Sequence, residues 1–218
     1  CDNNVHIAYS DLPLSGGPCP QNIIILRTWT GTDDCGNTRV CTQPITIQDT
    51  TPPVWTTAAG SLDRTLECSD ATGIAAAQTL VPAANDNCAA AVTNVVKVPG
   101  AFVAGSCPQA GTYTNTWTAT DSCGNTSTVF TQVITIRDTQ APTWTTTAGN
   151  LDRTLECSDM AGLAAAQTLF PVASDNCDGD VTNISKTTGS FVSGTLCPQA
   201  GSYTNTWTVA DDCGNVSL

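Results

Sequence analysis

An internal repeat of about 90 residues limits the folds that this chain can adopt. Residues 62–70 return unchanged as residues 151–159, an offset of 89 positions. Repeats of this length are too long for helical solenoids or propeller blades, and they match the size of an immunoglobulin-like β-sandwich. The cysteines that follow recur in the same order, as Cys88 and Cys177, Cys107 and Cys197, and Cys123 and Cys213.

The repeat divides the chain into three parts. Residues 1–49 have the pattern of the C-terminal half of a repeat, residues 50–138 make one complete repeat, and residues 139–218 make a repeat that lacks its last strand. Because natural domains end at linkers and not inside a fold, we expect the chain to be an excerpt of a longer array. The first part carries the matching cysteines Cys1, Cys19 and Cys35.

Alternating side chains predict a pair of adjacent β-strands in each repeat. Tyr113, Trp117 and Ala119 alternate with threonines, which is the period-2 pattern of a strand with an aromatic inner face. Residues 130–136 alternate in the same way, and the turn-type residues 121–125 connect the two segments. The inward phase of Trp117 and Tyr113 favours core packing over a carbohydrate-binding surface.

The remaining segments of the repeat favour short strands joined by turns. Residues 64–68 and 91–98 are strand candidates, and the Ala-rich residues 71–78 fit either a short helix or a loop. Proline in the junctions at residues 49–53 and 138–142 restricts the backbone between repeats. We therefore predict an all-β protein of tandem immunoglobulin-like β-sandwich repeats, stapled by disulfides and arranged as an elongated rod.

The cysteine content predicts an oxidising location. The chain has 12 cysteines in 218 residues and a single histidine, His6. Zinc sites use paired short spacings such as Cys-x2-Cys, and the closest cysteine pair here is Cys35 and Cys41. Cysteine at this density persists as disulfide outside the reducing cytosol, so we expect an extracellular or outer-cell-surface location.

The charge balance excludes several classes of partner. The chain carries 19 acidic and 7 basic residues, for a formal net charge of −12, and its basic residues are scattered singly. Nucleic acids and anionic membrane surfaces both attract clustered lysine and arginine. The longest apolar run, residues 23–26, is far shorter than the ~20 residues that cross a bilayer, so we expect no membrane insertion of this segment.

Sandwich geometry narrows the disulfide connectivity, since four cysteines in a repeat allow three pairings. In a sandwich, the connections that hold Cys88 and Cys123 lie at the same end. If the strand at residues 64–68 runs beside the last strand, Cys68 ends near Cys107. The predicted pairs are Cys68–Cys107, Cys88–Cys123, Cys157–Cys197, Cys177–Cys213 and Cys1–Cys35.

Two cysteines of the first part have no partner in this scheme. Cys19 and Cys41 bond either to each other or to cysteines upstream of residue 1, and we favour upstream partners for both. Cys41 occupies the register of Phe130 in the next repeat, so its partner is not required in the later copies.

The repeat motifs resemble a known family of extracellular repeats. Residues 117–125, Trp-Thr-Ala-Thr-Asp-Ser-Cys-Gly-Asn, are followed by an alternating strand and Asp-Thr-x-x-Pro, and they resemble hyalin-type (HYR-like) immunoglobulin-fold repeats. With Leu-Glu-Cys-Ser-Asp, Asp-Asn-Cys and Cys-Pro-Gln, the pattern is similar to repeats in very large type IX-secreted surface proteins of gliding bacteria. The resemblance covers essentially the whole chain. It implies an immunoglobulin-like fold, export and an adhesive role in gliding motility, and it implies no catalytic residues.

Calcium is the one cofactor that the sequence suggests, and the suggestion has a plain alternative. Calcium takes six to eight oxygen ligands from loops of this kind. Aspartate and asparagine also cap turns through hydrogen bonds to their own backbone, and the sequence has no EF-hand or nonapeptide signature. The candidate ligands lie in turns or at junctions and are Asp49, Asp86, Asp121, Asp138, Asp175 and Asp211.

Two further kinds of chemistry find less support in the sequence. A Lys–Asn isopeptide crosslink, as in some bacterial surface sandwiches, would use Lys97 or Lys186, but disulfides already supply crosslinks here. For catalysis, His6 has no recurring counterpart, and no Ser-His-Asp, metal-binding or phosphate-cradling pattern occurs. We therefore expect no enzyme activity.

The predicted function is structural and adhesive. We expect a stiff segment of a secreted bacterial cell-surface adhesin or fibre, whose partners are neighbouring repeats and surface polysaccharide or other cell-surface proteins. One alternative is an accessory binding or spacer module of a secreted polysaccharide-degrading enzyme. Another is a self-polymerising filament subunit, in which strand donation between copies fills the missing strands.

Overall fold

The computed structural model describes residues 4–15, 19–88 and 92–218, and these residues form a mostly β protein. This result agrees with the predicted all-β class. Two short helices occur among the described residues, α1 at Ala71–Gln78 and α2 at Met160–Gln167. In chain order the strands are β1 Val5–Ser15, β2 Ile23–Asp33, β3 Thr38–Ile47, β4 Val54–Trp55, β5 Arg64–Glu67, β6 Ala84–Asn85, β7 Asn94–Val98, β8 Val103–Ala104, β9 Gly111–Thr120, β10 Phe130–Arg137, β11 Thr143–Trp144, β12 Ala173–Ser174, β13 Asn183–Thr187, β14 Val192–Ser193, β15 Gly201–Ser202, β16 Thr206–Ala210 and β17 Val216–Ser217.

The chain folds as two compact units whose boundaries cut across the sequence repeats. Each unit takes residues from two successive repeats, and the complete repeat, residues 50–138, is divided between both. Unit 1 consists of Cys1–Leu62, Leu80–Gly100 and Asn115–Gln132. Unit 2 consists of Asp63–Thr79, Ala101–Thr114 and Val133–Leu218.

Unit 1 contains an antiparallel three-stranded sheet in the order β1-β2-β3. Val5 of β1 pairs with Asp33 of β2, and the central strand β2 is largely half-buried. β-Branched and aromatic residues favour this strand because they pack well on a pleated surface. Across β1 and β2, both guanidinium contacts of Arg27 with the Asp11 carboxylate are 2.8 Å long, and the guanidinium carbon lies 4.2 Å from the Tyr9 ring centroid.

An aromatic core lies around β9 in the same unit. β7 pairs antiparallel with β9, and Trp117 and Ala119 are buried on the inward face as predicted. The ring centroid of Phe130, at the start of β10, lies 6.1 Å from that of Trp117 and 5.4 Å from that of Trp55. Trp55 Nε1 donates a hydrogen bond of 2.8 Å to the Thr128 carbonyl oxygen. The predicted strand pair with an aromatic inner face is therefore confirmed.

A buried polar pair completes this core. Asn115 of β9 and Gln132 of β10 are both 0 % exposed, and Asn115 Nδ2 donates to Gln132 Oε1 at 3.0 Å. Asn115 Oδ1 accepts the backbone N–H of Gly100 at 3.1 Å, and Gln132 Nε2 donates to the Leu62 carbonyl oxygen at 2.7 Å. Because buried polar groups destabilise a fold unless they are paired, these bonds fix two loops against the strands.

In unit 2, β5 pairs in parallel with β10, and Arg64 lies opposite Ile134. The expectation that residues 64–68 run beside the last strand is therefore confirmed. The Ala-rich segment after β5 is the helix α1, which begins where the Asp70 side chain accepts the backbone N–H of Gly73 at 2.8 Å. The core beneath it consists of Ala77, Ile134 and Ile136, with Leu66, Cys68, Ile74, Phe102 and Tyr113 packed against them.

The third repeat supplies the remaining elements of unit 2. Helix α2 has the same cap as α1, with Asp159 in place of Asp70. β13, β16 and β17 form an antiparallel three-stranded sheet. Lys186 Nζ of β13 lies 5.5 Å from the Trp207 ring centroid, and Lys97 Nζ in unit 1 lies 5.3 Å from that of Trp117. Each lysine thus has a cation–π contact with the tryptophan on its neighbouring strand.

Candidate functional site

Three disulfides crosslink the described residues, and each joins cysteines from two successive repeats. Their Cα–Cα distances of 4.6, 5.8 and 5.0 Å lie in the normal range for disulfides. Each closes a loop longer than one repeat, because the bonded cysteines are 104 to 109 positions apart. The bonds are Cys19–Cys123, Cys68–Cys177 and Cys107–Cys213.

The predicted pairing within single repeats is wrong. That prediction assumed that each repeat folds on itself, whereas both compact units combine segments of two repeats. Cys107 belongs to unit 2 together with Cys213 of the next repeat, and these two cysteines therefore meet. The pairs that the structure contradicts are Cys68–Cys107, Cys88–Cys123, Cys157–Cys197 and Cys177–Cys213.

The predictions for Cys19, Cys41 and Cys1 of the first repeat have different outcomes. Cys19 bonds to Cys123 of the following repeat, so the hypotheses of a bond to Cys41 or to an upstream cysteine are wrong for Cys19. Cys41 is exposed and has no disulfide among the described residues, and its upstream partner stays a prediction. Cys1 lies outside the described residues, so the pair Cys1–Cys35 also stays a prediction.

The three bonds follow a rule based on sequence motifs. The Cys-Pro-Gln cysteine of one repeat bonds to the Cys-Gly-Asn cysteine of the next repeat in both Cys19–Cys123 and Cys107–Cys213. The third bond joins the Leu-Glu-Cys-Ser cysteine, Cys68, to the Asp-Asn-Cys cysteine of the next repeat, Cys177. Four of the exposed cysteines have no disulfide among the described residues, and their motif partners do not occur in the sequence. They are Cys35, Cys88, Cys157 and Cys197.

Beside these disulfides, unit 2 brings together three of the predicted metal ligands. Asp138 follows β10, Asp175 follows β12 and Asp211 follows β16. One carboxylate oxygen from each residue lies within 4.8 Å of the other two. Asp138 is 8 % exposed and Asp211 is 4 % exposed, so the cluster is largely shielded from water.

A tight turn fixes the position of Asp211. Its Oδ1 accepts the backbone N–H of Asn215 at 2.8 Å, and its Oδ2 accepts the Asn215 side-chain Nδ2 at 2.8 Å. Gly214 completes the turn with a φ of 89°, in the left-handed region that favours glycine. The Asn215 Nδ2 also donates to the Asp138 backbone carbonyl oxygen at 3.3 Å, so one asparagine joins two of the acidic loops.

The other two carboxylates have unpaired oxygens. Asp175 Oδ1 accepts the backbone N–H groups of Cys177 at 2.8 Å and Asp178 at 3.0 Å. Asp175 Oδ2 is buried and has no hydrogen-bond partner among the described residues. Neither carboxylate oxygen of Asp138 forms a hydrogen bond of normal geometry among the described residues, although the backbone N–H of Gln140 is near enough to lower the pKa of this carboxyl group.

Like charges crowd this cluster. Burial raises the pKa of Asp138 above its ordinary value, and the carboxylates of Asp175 and Asp211 raise it further. The approach of the Gln140 N–H offsets part of this rise. An ionised carboxylate is therefore electrostatically unfavourable here unless a cation lies beside it.

In unit 1, two of the predicted ligands, Asp49 and Asp86, lie together, and the third side chain of the group is Cys88. Carboxylate oxygens of Asp49 and Asp86 and the sulfur of Cys88 all lie within 4.8 Å of one another. Asn125 Nδ2 donates to Asp121 Oδ2 at 2.8 Å and to the Asp49 backbone carbonyl oxygen at 3.2 Å. Three of the six predicted aspartates lie in each unit, and those of unit 2 form the cluster of three carboxylates.

In unit 1 the pKa of Asp121 is lowered, whereas the pKa of Cys88 is raised. Burial would raise the pKa of Asp121, but hydrogen bonds from the side chain and backbone of Asn125 outweigh it and hold that pKa below its ordinary value. Partial desolvation raises the pKa of the Cys88 thiol, and the carboxylates of Asp49 and Asp86 raise it further. The Cys88 thiol is therefore protonated at neutral pH.

Sequence reasoning missed the asparagines that organise these sites. Asn125 and Asn215 end the Asp-x-Cys-Gly-Asn motif, and the recurrence of that motif is the signal that could have found them. It also missed Asn115 and Gln132, which occupy inward positions on strands whose other inward residues are mostly apolar. Their polar side chains break the alternation, so the pattern alone does not predict burial.

The disulfides indicate an oxidising compartment, such as the extracellular space or the periplasm. Neither helix seen in residues 4–15, 19–88 and 92–218 has the length and apolar character needed to cross a bilayer. His6 Nε2 lies 3.4 Å from the Asp34 carboxylate, and both side chains are exposed. A search of protein-family models and of curated proteins finds no match to this chain.

Proposed function

We propose that this chain is a load-bearing, non-catalytic segment of an extracellular adhesive or fibre-forming protein. The observation that carries the proposal is the pairing of cysteines across successive repeats. A disulfide inside one repeat protects that repeat alone. A bond between repeats crosslinks the array along its length, which suits a structure that must resist extension and proteolysis.

Because the loops closed by the disulfides overlap, a force applied at the two ends of the chain is carried along a short covalent path. The path crosses the bonds Cys19–Cys123 and Cys107–Cys213 and follows the backbone between them. At about 3.3–3.6 Å for each extended residue, about 42 path residues allow the oxidised chain to lengthen to only about 15 nm, against about 75 nm for the reduced chain. The backbone on the path consists of residues 1–19, 107–123 and 213–218.

The same bonds stabilise the units against unfolding. Closing a loop of about 100 residues contributes up to about 4.7 kcal/mol in the chain-entropy model. Overlapping loops share residues, so three such contributions are less than additive. A single one is still a large part of the ~5–15 kcal/mol that stabilises an ordinary domain.

The location and partners in this proposal rest on the disulfides, the charge and the sequence resemblance. A strong acidic surplus keeps a long exposed polymer soluble. The HYR-like motifs support immunoglobulin-like sandwich repeats, arranged as a rod in a type IX-secreted adhesin of gliding bacteria. In that setting the partners are neighbouring repeats and surface polysaccharide or other surface proteins.

Single-molecule force spectroscopy tests the load-bearing role. The whole chain is alkylated at its free thiols and pulled from both termini, with and without a reducing agent. We expect a contour length of about 15 nm when oxidised and about 75 nm when reduced. The pairing first predicted within repeats would leave about 105 residues on the path, or about 37 nm. An oxidised chain that extends to about 37 nm or beyond contradicts the proposal.

The motif rule can be tested by lengthening the array. A copy of residues 129–218 is added after the last residue, which continues the repeat register. We expect Cys157 to bond to the added copy of Cys177, and Cys197 to the added copy of Cys213. Peptide mapping without reduction identifies these bonds, and a bond between Cys157 and Cys197 contradicts the rule.

A further inference from the structure

The carboxylates of Asp138, Asp175 and Asp211 form a cluster that the disulfide network does not explain. One oxygen from each lies within 4.8 Å of the others. Two oxygens bound to one calcium ion, each about 2.3–2.6 Å from it, are at most about 5 Å apart. The spacing therefore fits three ligands of one cation.

Two of these side chains present oxygens that lack a hydrogen-bond partner. Asp138 is 8 % exposed, and neither of its carboxylate oxygens is paired among the described residues. Asp175 uses Oδ1 for its turn and leaves its buried Oδ2 unpaired. Buried polar atoms in native proteins are nearly always paired, so these three oxygens point to a ligand that satisfies them.

The charge of the cluster points to the same kind of ligand. Three carboxylates that are close together and shielded from water repel one another and lose hydration. The ion pairs seen among the described residues, Arg27–Asp11 and His6–Asp34, both lie in unit 1. A bound cation would supply the positive charge that this part of unit 2 lacks.

Part of the arrangement recurs in unit 1. Asp49, Asp86 and Asp121 occupy the matching sequence positions, and Asn125 joins Asp121 to the Asp49 backbone. The third side chain that lies within 4.8 Å of Asp49 and Asp86 is Cys88, and Asp49 Oδ1 accepts the backbone N–H of Thr51. Asp86 Oδ2 is buried and unpaired, as Asp175 Oδ2 is in unit 2.

The donor atoms favour calcium over other divalent cations. Zinc prefers thiolate and imidazole ligands, and the sulfurs near Asp138 belong to the disulfide Cys68–Cys177, so they are not thiolates. Magnesium demands nearly ideal octahedral geometry and keeps several waters. Calcium accepts flexible geometry from carboxylates and backbone carbonyls on loops, which is what this cluster offers.

We propose that Asp138, Asp175 and Asp211 form a calcium-binding site in unit 2. The ion joins the end of β10 to two turns of the following repeat. The disulfides Cys68–Cys177 and Cys107–Cys213 hold cysteines two residues from Asp175 and Asp211, so the ion adds a reversible crosslink to covalent ones. The site does not depend on the adhesive role proposed above.

Calorimetric titration of the oxidised, metal-free whole chain with CaCl2 tests the site. We expect saturable binding with a Kd of about 10⁻⁴–10⁻³ M, as in other extracellular calcium modules. Calcium should also slow hydrogen exchange in peptides that contain residues 138, 175 and 211. Asp138→Asn and Asp175→Asn should each abolish this protection of unit 2, and should weaken binding to unit 2 at least tenfold.

Asp212→Asn is the matched control. Asp212 is exposed and adjacent to Asp211, so its substitution removes the same charge without touching the cluster. This variant should bind calcium as the native chain does, and calcium should slow its hydrogen exchange to the same extent. In the native chain, MgCl2 should slow hydrogen exchange less than CaCl2 does. The proposal is overturned if calcium does not saturate below about 10 mM, or if Asp138→Asn and Asp175→Asn both behave like the control. Force measurements in a chelator keep this result separate from the load-bearing test.

Discussion

Units 1 and 2 contain the same kind of acidic turn, at Asp121 and Asp211, but different numbers of disulfides among the described residues. Unit 2 has both Cys68–Cys177 and Cys107–Cys213, whereas unit 1 has Cys19–Cys123 and an unbonded Cys88. The turn at Asp121 nevertheless makes the same hydrogen bonds as the turn of unit 2. The comparison indicates that local hydrogen bonds shape the acidic turn without the second disulfide. We expect the second disulfide to contribute stability instead.

Removing the additional disulfide should make unit 2 resemble unit 1. In the double variant Cys68→Ser, Cys177→Ser we expect unit 2 to lose about 2–5 kcal/mol of unfolding free energy, because the unfolded chain regains the freedom of a long loop. Hydrogen exchange under increasing denaturant, followed by mass spectrometry, measures each unit separately. The acidic turn should keep its protection in the absence of denaturant.

The single variant Cys157→Ser is the control for that experiment. Cys157 also lies in unit 2 but is exposed and forms no disulfide among the described residues. Its stability should match that of the native chain. If the double variant matches it too, the disulfide has no stabilising role and the comparison between units fails.

Asn115 of unit 1 and its counterpart Asn205 of unit 2 give a second contrast between the units. Asn115→Ala should cost about 1–3 kcal/mol, because it removes the hydrogen bonds of Asn115 with the Gly100 N–H and with Gln132 Oε1 inside unit 1. Its counterpart Asn205 in unit 2 has a buried Oδ1 without a partner and donates only to Gln167 Oε1 among the bonds seen. Asn205→Ala should therefore cost less.

Denaturant titration of the two asparagine variants measures this difference. Gln167 Oε1 also lies 3.4 Å from Lys186 Nζ, so it keeps a partner when Asn205 is replaced. Equal losses in the two variants would show that the Asn115 network has no special role in unit 1.

The strands and the acidic groups are the parts that the sequence predicts well. Alternation around Trp117 and Ile134 locates two strands, because the pleat places every second side chain in the core. The turn motifs locate all six aspartates, since a turn requires the same Asp, Gly and Asn whether or not it binds an ion. These features depend on neighbouring residues, so a local pattern is sufficient to find them.

The disulfide pairing could not be predicted in this way. A repeat is defined by similarity along the sequence, whereas a disulfide depends on which segments meet in space. The compact units exchange segments such as Asp63–Thr79 and Ala101–Thr114 between repeats, and no periodicity reports that exchange. The position of β5 beside β10 was foreseen, but the loop that approaches Cys68 comes from the next repeat.

Helix capping offers a smaller contrast, and it lies wholly within unit 2. Asp70→Ala removes the cap of α1, whose Ala77 is buried in the core, and we expect a loss of about 0.5–2 kcal/mol in unit 2. Helix α2 has no buried residue, so Asp159→Ala should cause local fraying with a smaller global effect. Hydrogen exchange of residues 71–78 and 160–167 distinguishes the two, and unit 1 should not change. A loss of stability in unit 1 would show that the units do not unfold separately.

The smallest expected effect concerns Cys88 of unit 1, whose counterpart in unit 2, Cys177, forms a disulfide. Desolvation and the carboxylates of Asp49 and Asp86 raise the pKa of Cys88, so less of the reactive thiolate is present at a given pH. Alkylation of Cys88 at pH 8 should therefore be severalfold slower than in the variant Asp86→Asn, and the difference should shrink as the pH rises through the raised pKa. Time-resolved mass spectrometry of the labelled peptide measures both rates, with the exposed Cys157 as internal reference. If Asp86→Asn leaves the rate ratio unchanged at every pH, the Asp86 carboxylate does not act on Cys88, and this thiol is only an unbonded cysteine near an acidic turn.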